Sequence, residues 1–123
     1  IYPESHYGRD ALVGVVLFLS LLVERKVPVS VLKASYSNYY MSKNKISLQK
    51  GTDVNKILKD LEHNYSNERV NSVDGLKIDF EQSWIHLRKS NTEPIIRIYT
   101  EAKTQKEADA LAAEFYKEIK SLF

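Results

Sequence analysis

The sequence lacks cysteine altogether, and its 18 basic residues form no run of five or more like charges. Without cysteine there can be neither a disulfide framework nor a zinc site with thiolate ligands, and we expect a cytoplasmic protein. The net charge of +2 and the pI near 8.7 would suit nucleic acid, an acidic membrane or a phosphorylated metabolite, so charge alone selects none of them. A composition of 43% hydrophobic and 28% charged residues is typical of a globular chain.

A run long enough to span a membrane is also missing. The longest apolar stretch, Ala11 to Val23, has 13 residues, against the roughly 20 that a spanning helix needs. No small-residue cleavage site of the signal-peptide kind follows it. We expect a buried helix here and no membrane partner. The helix is apolar on all sides and the chain begins at Ile1, so we expect a cut through a longer protein, with some packing partners of the helix outside the chain.

Pro28 is expected to end this first helix, because proline supplies no amide donor and disfavours a helical residue before it. Residues 29 to 40 are then interpreted as a connection that contains several serines. We place a domain boundary close to Tyr36–Tyr40 and divide the chain into residues 1–36 and residues 37–123.

The remaining sequence predicts an α+β fold. Helical spacing of apolar residues follows Asp53, and a capping box at Thr104–Glu107 starts a last helix. Asp74-Gly75 accepts the positive φ angles of a tight hairpin turn. We predict a small, mainly antiparallel four-stranded sheet with both helices on one face, preceded by a helix left over from a neighbouring domain. Strand-like runs are Tyr40–Leu48, Arg69–Val73, Leu76–Phe80, Trp84–Arg88 and Ile95–Glu101.

The segment RKSNTEP, Arg88 to Pro94, joins two of these strands and is rich in hydrogen-bond donors. Arg88 offers a planar fork that can meet two phosphate oxygens, Ser90 and Thr92 add hydroxyls, and Asn91 tolerates left-handed backbone geometry. Such a loop can also aim successive backbone amides at one anion. The alternative is a plain hairpin turn, because turns use the same residue types.

The longer stretch RKSNTEPIIRIYTEA resembles the C-terminal phosphate-binding signature of the α-D-phosphohexomutases, R-x-S-G-T-E-P followed by x-I-R-[VI]-Y-x-E-[AG]. Asn91 replaces the commonest glycine, and asparagine is a natural substitute at a left-handed position. The hairpin from Asp74 to Phe80, the approach WIHLR and the segment from Gly8 to Leu12 are similar to this family as well, so the resemblance covers nearly the whole chain. The resemblance implies that residues 1–36 are the end of a third domain, which is α/β, and that residues 37–123 are a complete fourth domain.

The resemblance implies an isomerase, a phosphoglucomutase or phosphomannomutase that exchanges a phosphoryl group between the 1- and 6-positions of a hexose through a phosphoserine, a hexose bisphosphate and Mg²⁺. The fourth domain would hold the phosphate that is not being transferred. The implied contacts are Arg88, Ser90, Asn91 and Thr92, with Arg97 as a second phosphate partner; the alternative for Arg97 is an ion pair with Glu101. The serine loop, the Mg²⁺ loop and the sugar-recognition loop of the family do not occur in this sequence. We therefore expect no catalytic residue and no metal ligand here, and an inactive fragment whose partners are the other domains and the sugar phosphate.

Two further interpretations stay open. An antiparallel sheet could present aromatics to nucleic acid, and Tyr36, Tyr39 and Tyr40 lie near Lys43 and Lys45; we expect no nucleic acid, because the alternate positions of one strand include Asp79 and Glu81. A pure interaction domain would use the polar loop only as a turn. The sequence does not identify the preferred hexose, although glucose and mannose are favoured over glucosamine. It does not indicate the oligomeric state either.

Overall fold

The computed structural model describes residues 1–49 and 51–122, and the chain divides into two compact units between Ser37 and Asn38. The first unit holds α1 (Ala11–Arg25) and α2 (Val29–Ala34). The second unit contains β1 (Tyr40–Ser47), α3 (Val54–Asn64), β2 (Arg69–Asn71), β3 (Leu76–Asp79), β4 (Trp84–Lys89), β5 (Ile95–Ala102) and α4 (Gln105–Ser121).

Helix α1 begins at an aspartate cap and ends before Pro28. The carboxylate of Asp10 accepts hydrogen bonds from the amides of Leu12 and Val13, at 2.8 and 3.1 Å. The helix stops at Lys26, which adopts a left-handed φ of 52°. Pro28 then caps α2, so the prediction that residues 29 to 40 are only a connection is wrong for its first half. A residue at this cap position needs no amide donor, and proline therefore starts a helix as readily as it stops one.

The prediction that α1 is buried is also wrong for this chain. None of its residues is buried, and seven of its large apolar side chains are 43–75% exposed. The physical reason is the small size of the first unit, in which α2, with six residues, is the only other helix. The exposed side chains are those of Leu12, Val15, Val16, Leu17, Phe18, Leu19 and Val23. Among the described residues, no helix has the length and apolar character that crossing a bilayer requires.

The second unit confirms the predicted α+β fold, and its sheet contains strands from all five strand-like runs, one more than the predicted four-stranded sheet. Its sheet has the order β1-β5-β4-β3-β2, and every neighbouring pair is antiparallel. The fifth strand, β2, is three residues long and pairs only with β3, through Arg69↔Asp79, Val70↔Ile78 and Asn71↔Lys77. The edge strand is this short because the side-chain oxygen of Asn71 accepts a hydrogen bond from the Val73 amide at 3.0 Å, which turns the backbone out of the ladder.

The hairpin connection therefore spans residues 72 to 75 and is not a two-residue turn. Gly75 does take a positive φ of 80°, but Asp74 does not. A Cβ on Gly75 would lie 2.2 Å from the backbone oxygen of Leu87, so the connection packs directly against β4. Only glycine permits both the angle and this close approach.

One face of the sheet forms the core together with α3 and α4. The register places Leu76, Leu87 and Ile98 in one row across three strands, and all three are buried. Buried side chains from the two helices join the same cluster, which confirms that both helices cover one face. They are Val54, Ile57 and Leu61 from α3, and Ala112, Phe115 and Ile119 from α4. The predicted capping box is confirmed at Thr104 and Glu107.

An aromatic contact closes the core between α3 and α4. The ring of Tyr65 stacks on Phe115 at a centroid distance of 5.0 Å and meets Phe80 edge-on at 6.1 Å. The Tyr65 hydroxyl donates a 2.8 Å hydrogen bond to Glu118. Burial, and after it the hydrogen bond to Glu118, raise the pKa of Tyr65 well above its ordinary value.

The other face of the sheet is open and carries most of the strand charges. Side chains on a strand alternate between faces, so the residues between the core positions belong to this surface. The register arranges them in rows across the strands, of which one contains Lys43, Tyr99, His86 and Lys77, and a second contains Glu101, Trp84 and Asp79.

Candidate functional site

The polar loop predicted from the sequence connects β4 to β5, two strands in the interior of the sheet. The Ser90 amide donates to the carbonyl oxygen of Ile95 at 3.1 Å, which closes the hairpin at the loop. The Leu48 amide donates to the Pro94 carbonyl at 2.8 Å and so ties the chain after β1 to the loop. Both ends of the loop are therefore held by backbone hydrogen bonds, while Asn91, Thr92 and Glu93 between them are exposed.

Several donors in the loop have no strong protein partner. Ser90 is 8% exposed, and its hydroxyl lies 3.5 Å from the Thr92 hydroxyl and 3.4 Å from the Thr92 amide, at the long limit of hydrogen bonding. Among the described residues, the amides of Asn91 and Glu93 donate to no protein group. The loop thus holds two hydroxyls and three backbone amides that a bound anion could use. The expected left-handed conformation of Asn91 is not observed: its φ is not positive.

Arg88 lies at the entrance of the loop and already has a carboxylate partner. Its Nη2 atom is 2.9 Å from Oδ2 of Asp74, in the connection that packs against β4. His86, one row further along the same strand face, lies with Nε2 2.6 Å from the Asp74 carbonyl oxygen. The Asp74–Gly75 connection therefore contacts β4 through its backbone and holds the Arg88 guanidinium through its side chain.

Arg97 on β5 lies directly opposite Arg88 on β4. On the next strand, β1, Lys45 lies opposite Arg97. The alternative that Arg97 pairs with Glu101 is not observed, because Oε1 of Glu101 instead accepts a 2.9 Å hydrogen bond from the Trp84 indole. Arg97 and Lys45 form no ion pair with any described residue. The structure thus places Arg88 and Arg97 next to each other. It also places Lys45 beside them, a residue that no sequence motif assigns to the site.

A shallow groove runs beside the loop on the β1 side. It has a volume of about 430 Å³, and its lining includes Lys43, Lys45, Arg97, Tyr99 and Glu93. Three of these side chains are cationic and one is a carboxylate, so the groove favours an anionic ligand. Only the pairing of β1 with β5 reveals this surface, because Lys45 and Arg97 are 52 residues apart in the sequence.

No metal centre accompanies the loop. Within residues 1–49 and 51–122, no group of three or more histidine, aspartate or glutamate side chains is placed to hold a metal ion. His6, His63 and His86 lie in different parts of the structure, and His6 hydrogen-bonds Asp10 at 3.0 Å. The donors of the loop and the cations beside it support binding of an anion.

Comparison with known proteins identifies the family. Residues 41–118, which include all of the loop and the open face of the sheet, match the family described as phosphoglucomutase/phosphomannomutase, C-terminal domain. The chain belongs to this family. The prediction from the loop signature is thereby confirmed at the level of the family.

Similar full-length proteins carry mutase names. A phosphoglucosamine/phosphogalactosamine mutase of Sulfurisphaera tokodaii is 38% identical over 95% of this chain. A probable phosphoglucosamine mutase of Pyrococcus horikoshii is 30% identical over 99% of it, and a phosphoglucomutase/phosphomannomutase of Thermococcus kodakarensis is 30% identical over 88% of it. These matches cover 26%, 28% and 24% of those relatives, so the chain spans about a quarter of their length.

Proposed function

We propose that residues 88–94, called the phosphate loop below, hold the phosphate of a hexose phosphate that is not being transferred. The observation that carries this proposal is the set of donors without strong protein partners on one exposed hairpin: the hydroxyls of Ser90 and Thr92 and the amides of Asn91 and Glu93. Arg88 supplies a bidentate fork at one end of the loop, and Arg97 supplies a second guanidinium opposite it.

The role of the loop in the reaction is positioning. A phosphate held at one end of the sugar directs the other end toward the reacting group, and fixing that geometry removes a large entropic part of the barrier. This chain itself breaks no bond in the proposal and is inactive alone. Mg²⁺ and the phosphoryl donor would belong to the remaining domains of a longer cytoplasmic phosphohexomutase.

Residues 1–36 are proposed to be the end of the domain that precedes the phosphate-binding domain. The apolar surface of α1 supports this, because a helix with seven exposed large apolar side chains needs other elements to pack against. The rest of that neighbouring domain would supply them.

The substrate is proposed to be a hexose phosphate, with its bisphosphate as intermediate. A phosphate loop contacts a group that all such substrates share, so it does not choose the sugar. Glucose and mannose phosphates are candidates, and the relatives named as phosphoglucosamine mutases add glucosamine phosphate to the set to be tested.

The test uses the full-length protein with Mg²⁺ and compares it with its Arg88→Ala variant on glucose, mannose and glucosamine phosphates. Loss of a charged bidentate contact should lower kcat/KM by roughly 30- to 1000-fold, or about 2–4 kcal/mol. Arg69→Ala is the matched control, because Arg69 is an exposed arginine of the same sheet on the edge strand β2.

An active protein whose Arg88→Ala variant behaves like the Arg69→Ala control would remove Arg88 from the site. A protein without mutase activity on any of the three sugar phosphates would contradict the proposed function. A domain that only mediates contacts within or between proteins would then be the better interpretation.

A further inference from the structure

We propose that Lys45, on strand β1, is a further phosphate-binding residue of this site. The inference rests on the proposed function, because it adds a ligand to the same bound phosphate. It does not follow from the loop signature, which ends at Ala102 and does not include β1.

The register of three strands aligns Lys45 with two arginines of the site. Arg88 of β4 pairs with Arg97 of β5, and Arg97 pairs with Lys45 of β1, so three cations stand side by side across the open face. Side chains directly opposite in an antiparallel pair have Cβ atoms about 4.5–5.5 Å apart, and like charges at that separation destabilise a sheet. A sheet that places three cations in one row therefore carries an electrostatic cost that a bound anion would remove.

This row of cations has few carboxylate partners. Arg88 has Asp74, while neither Arg97 nor Lys45 forms an ion pair with the described residues. The row that contains Asp79 and Trp84 differs, because Asp79 there pairs with Lys77 of the neighbouring row and the Trp84 indole donates to Glu101. The row next to the phosphate loop thus holds two cations, Arg97 and Lys45, without a carboxylate partner among the described residues.

The groove on the β1 side brings Lys45 and Arg97 to one surface. Lys45 and Arg97 line the same groove of about 430 Å³, with Glu93 as the carboxylate beside them. A side chain from each of two neighbouring strands can reach one phosphate there, since long cationic side chains extend beyond the strand spacing of about 4.8 Å. A dianionic phosphate monoester fits this charge pattern better than a monoanion does.

Lys45 is also held in a fixed relationship to the loop. The residue after β1, Leu48, donates its amide to the Pro94 carbonyl at 2.8 Å, and Ile46 between them is fully buried. The position of the Lys45 backbone relative to the loop is therefore set by backbone hydrogen bonds and by the core. A phosphate bound at the loop would meet a lysine whose main chain does not need to move.

The experiment measures kcat and KM for the hexose phosphate that the full-length protein turns over, in wild type, Lys45→Ala, Lys45→Arg, Arg88→Ala and Lys59→Ala. Lys59 is an exposed lysine on α3, which covers the opposite face of the sheet, so it controls for a loss of one positive charge. Removal of one charge-assisted phosphate contact should lower kcat/KM about 10-fold in Lys45→Ala. Lys45→Arg should recover most of this loss, because it keeps the charge.

The outcomes separate the two proposals. A loss in Lys45→Ala with recovery in Lys45→Arg and no loss in Lys59→Ala supports Lys45 as a ligand. If Arg88→Ala is impaired while Lys45→Ala matches Lys59→Ala, the phosphate loop stands and Lys45 is not a ligand. Equal losses in Lys45→Ala and Lys45→Arg would assign Lys45 a structural role and overturn the inference. If Arg88→Ala is as active as wild type, or if no sugar phosphate is turned over, the proposed function itself fails and this inference fails with it.

Discussion

Nη2 of Arg88 lies 2.9 Å from Oδ2 of Asp74, so the arginine proposed to bind phosphate has a carboxylate partner in the protein. The two side chains are 44% and 67% exposed, and an exposed pair of this kind contributes at most about 1 kcal/mol to stability. A phosphate that approaches Arg88 thus meets a guanidinium that is held in position and whose charge is partly compensated.

We expect Asp74→Asn to strengthen phosphate binding without weakening the fold. Removing the carboxylate takes a negative charge from the edge of the anion site, which should lower the inhibition constant of inorganic phosphate about threefold in the full-length protein. The free energy of unfolding should change by less than about 1 kcal/mol. Weaker inhibition by phosphate in this variant would mean that Asp74 orients Arg88 and does not compete for it.

Gly75→Ala should destabilise the second unit. Gly75 has a φ of 80°, and an added Cβ would lie 2.2 Å from the Leu87 backbone oxygen, so both backbone strain and a steric clash oppose alanine. We expect a loss of more than about 2 kcal/mol, which urea unfolding of the 123-residue chain would measure. Gly51→Ala is the matched control, because Gly51 has a φ of 93° and, among the described residues other than its chain neighbours, no atom lies within 4 Å of the added carbon. If the two variants lose the same free energy of unfolding, the close approach of residue 75 to β4 does not determine the cost of the added Cβ.

Much of the fold could be predicted from the sequence, because local sequence patterns indicate the same helices and strands that the structure contains. The capping box at Thr104 and Glu107 and the helical spacing after Asp53 mark elements whose hydrogen bonds are local. The strand after Asp74-Gly75 alternates Leu76 and Ile78 with charged residues, which identifies its core face. In each case the deciding interaction joins residues close together in the sequence.

The parts that were missed depend on contacts between distant residues or on absent neighbours. Lys45 joins the cationic row only because β1 pairs with β5, and no local pattern encodes that register. The exposure of α1 could not be read from its composition, because an apolar helix is buried only where other elements cover it. The early end of β2 is the exception, because it depends on a local hydrogen bond that the Val73 amide donates to the side-chain oxygen of Asn71.

The stability of the chain should decrease above pH 10 in part through Tyr65. The pKa of Tyr65 in the folded state is raised above its ordinary value of 10.0, so the unfolded state loses this proton first, and the contribution of Tyr65 to stability falls as the pH rises past 10.0. Tyr65→Phe removes the hydrogen bond to Glu118 and should cost about 1 kcal/mol at neutral pH. The difference in the free energy of unfolding between wild type and Tyr65→Phe, measured with urea, should become smaller above pH 10. A constant difference would show that Tyr65 titrates normally.

Asp10 should titrate at an unusually low pH. The hydrogen bond from His6, together with those from the amides of Val13 and Leu12, lowers the pKa of Asp10 below its ordinary value of 3.8. The Asp10 cap therefore stabilises α1 fully above pH 3.8. This contribution to the stability of α1 is lost as the pH falls through the lowered pKa that Asp10 has in the folded state. Carboxyl NMR shifts during an acid titration would measure the midpoint, and His6→Ala should move it upward. An unchanged midpoint in that variant would exclude His6 as the main cause.

The strand order β1-β5-β4-β3-β2 places the first strand of the second unit beside the last one to be synthesised. Their pairing closes a loop from Tyr40 to Ala102, and contacts so far apart in the sequence form late and slowly. A nascent chain can thus build the β2–β3–β4 meander before β5 is available, yet it cannot bring Lys45 next to Arg97. The cationic row comes into existence only when the sheet is completed, so a chain truncated before β5 would keep local structure and have no anion site.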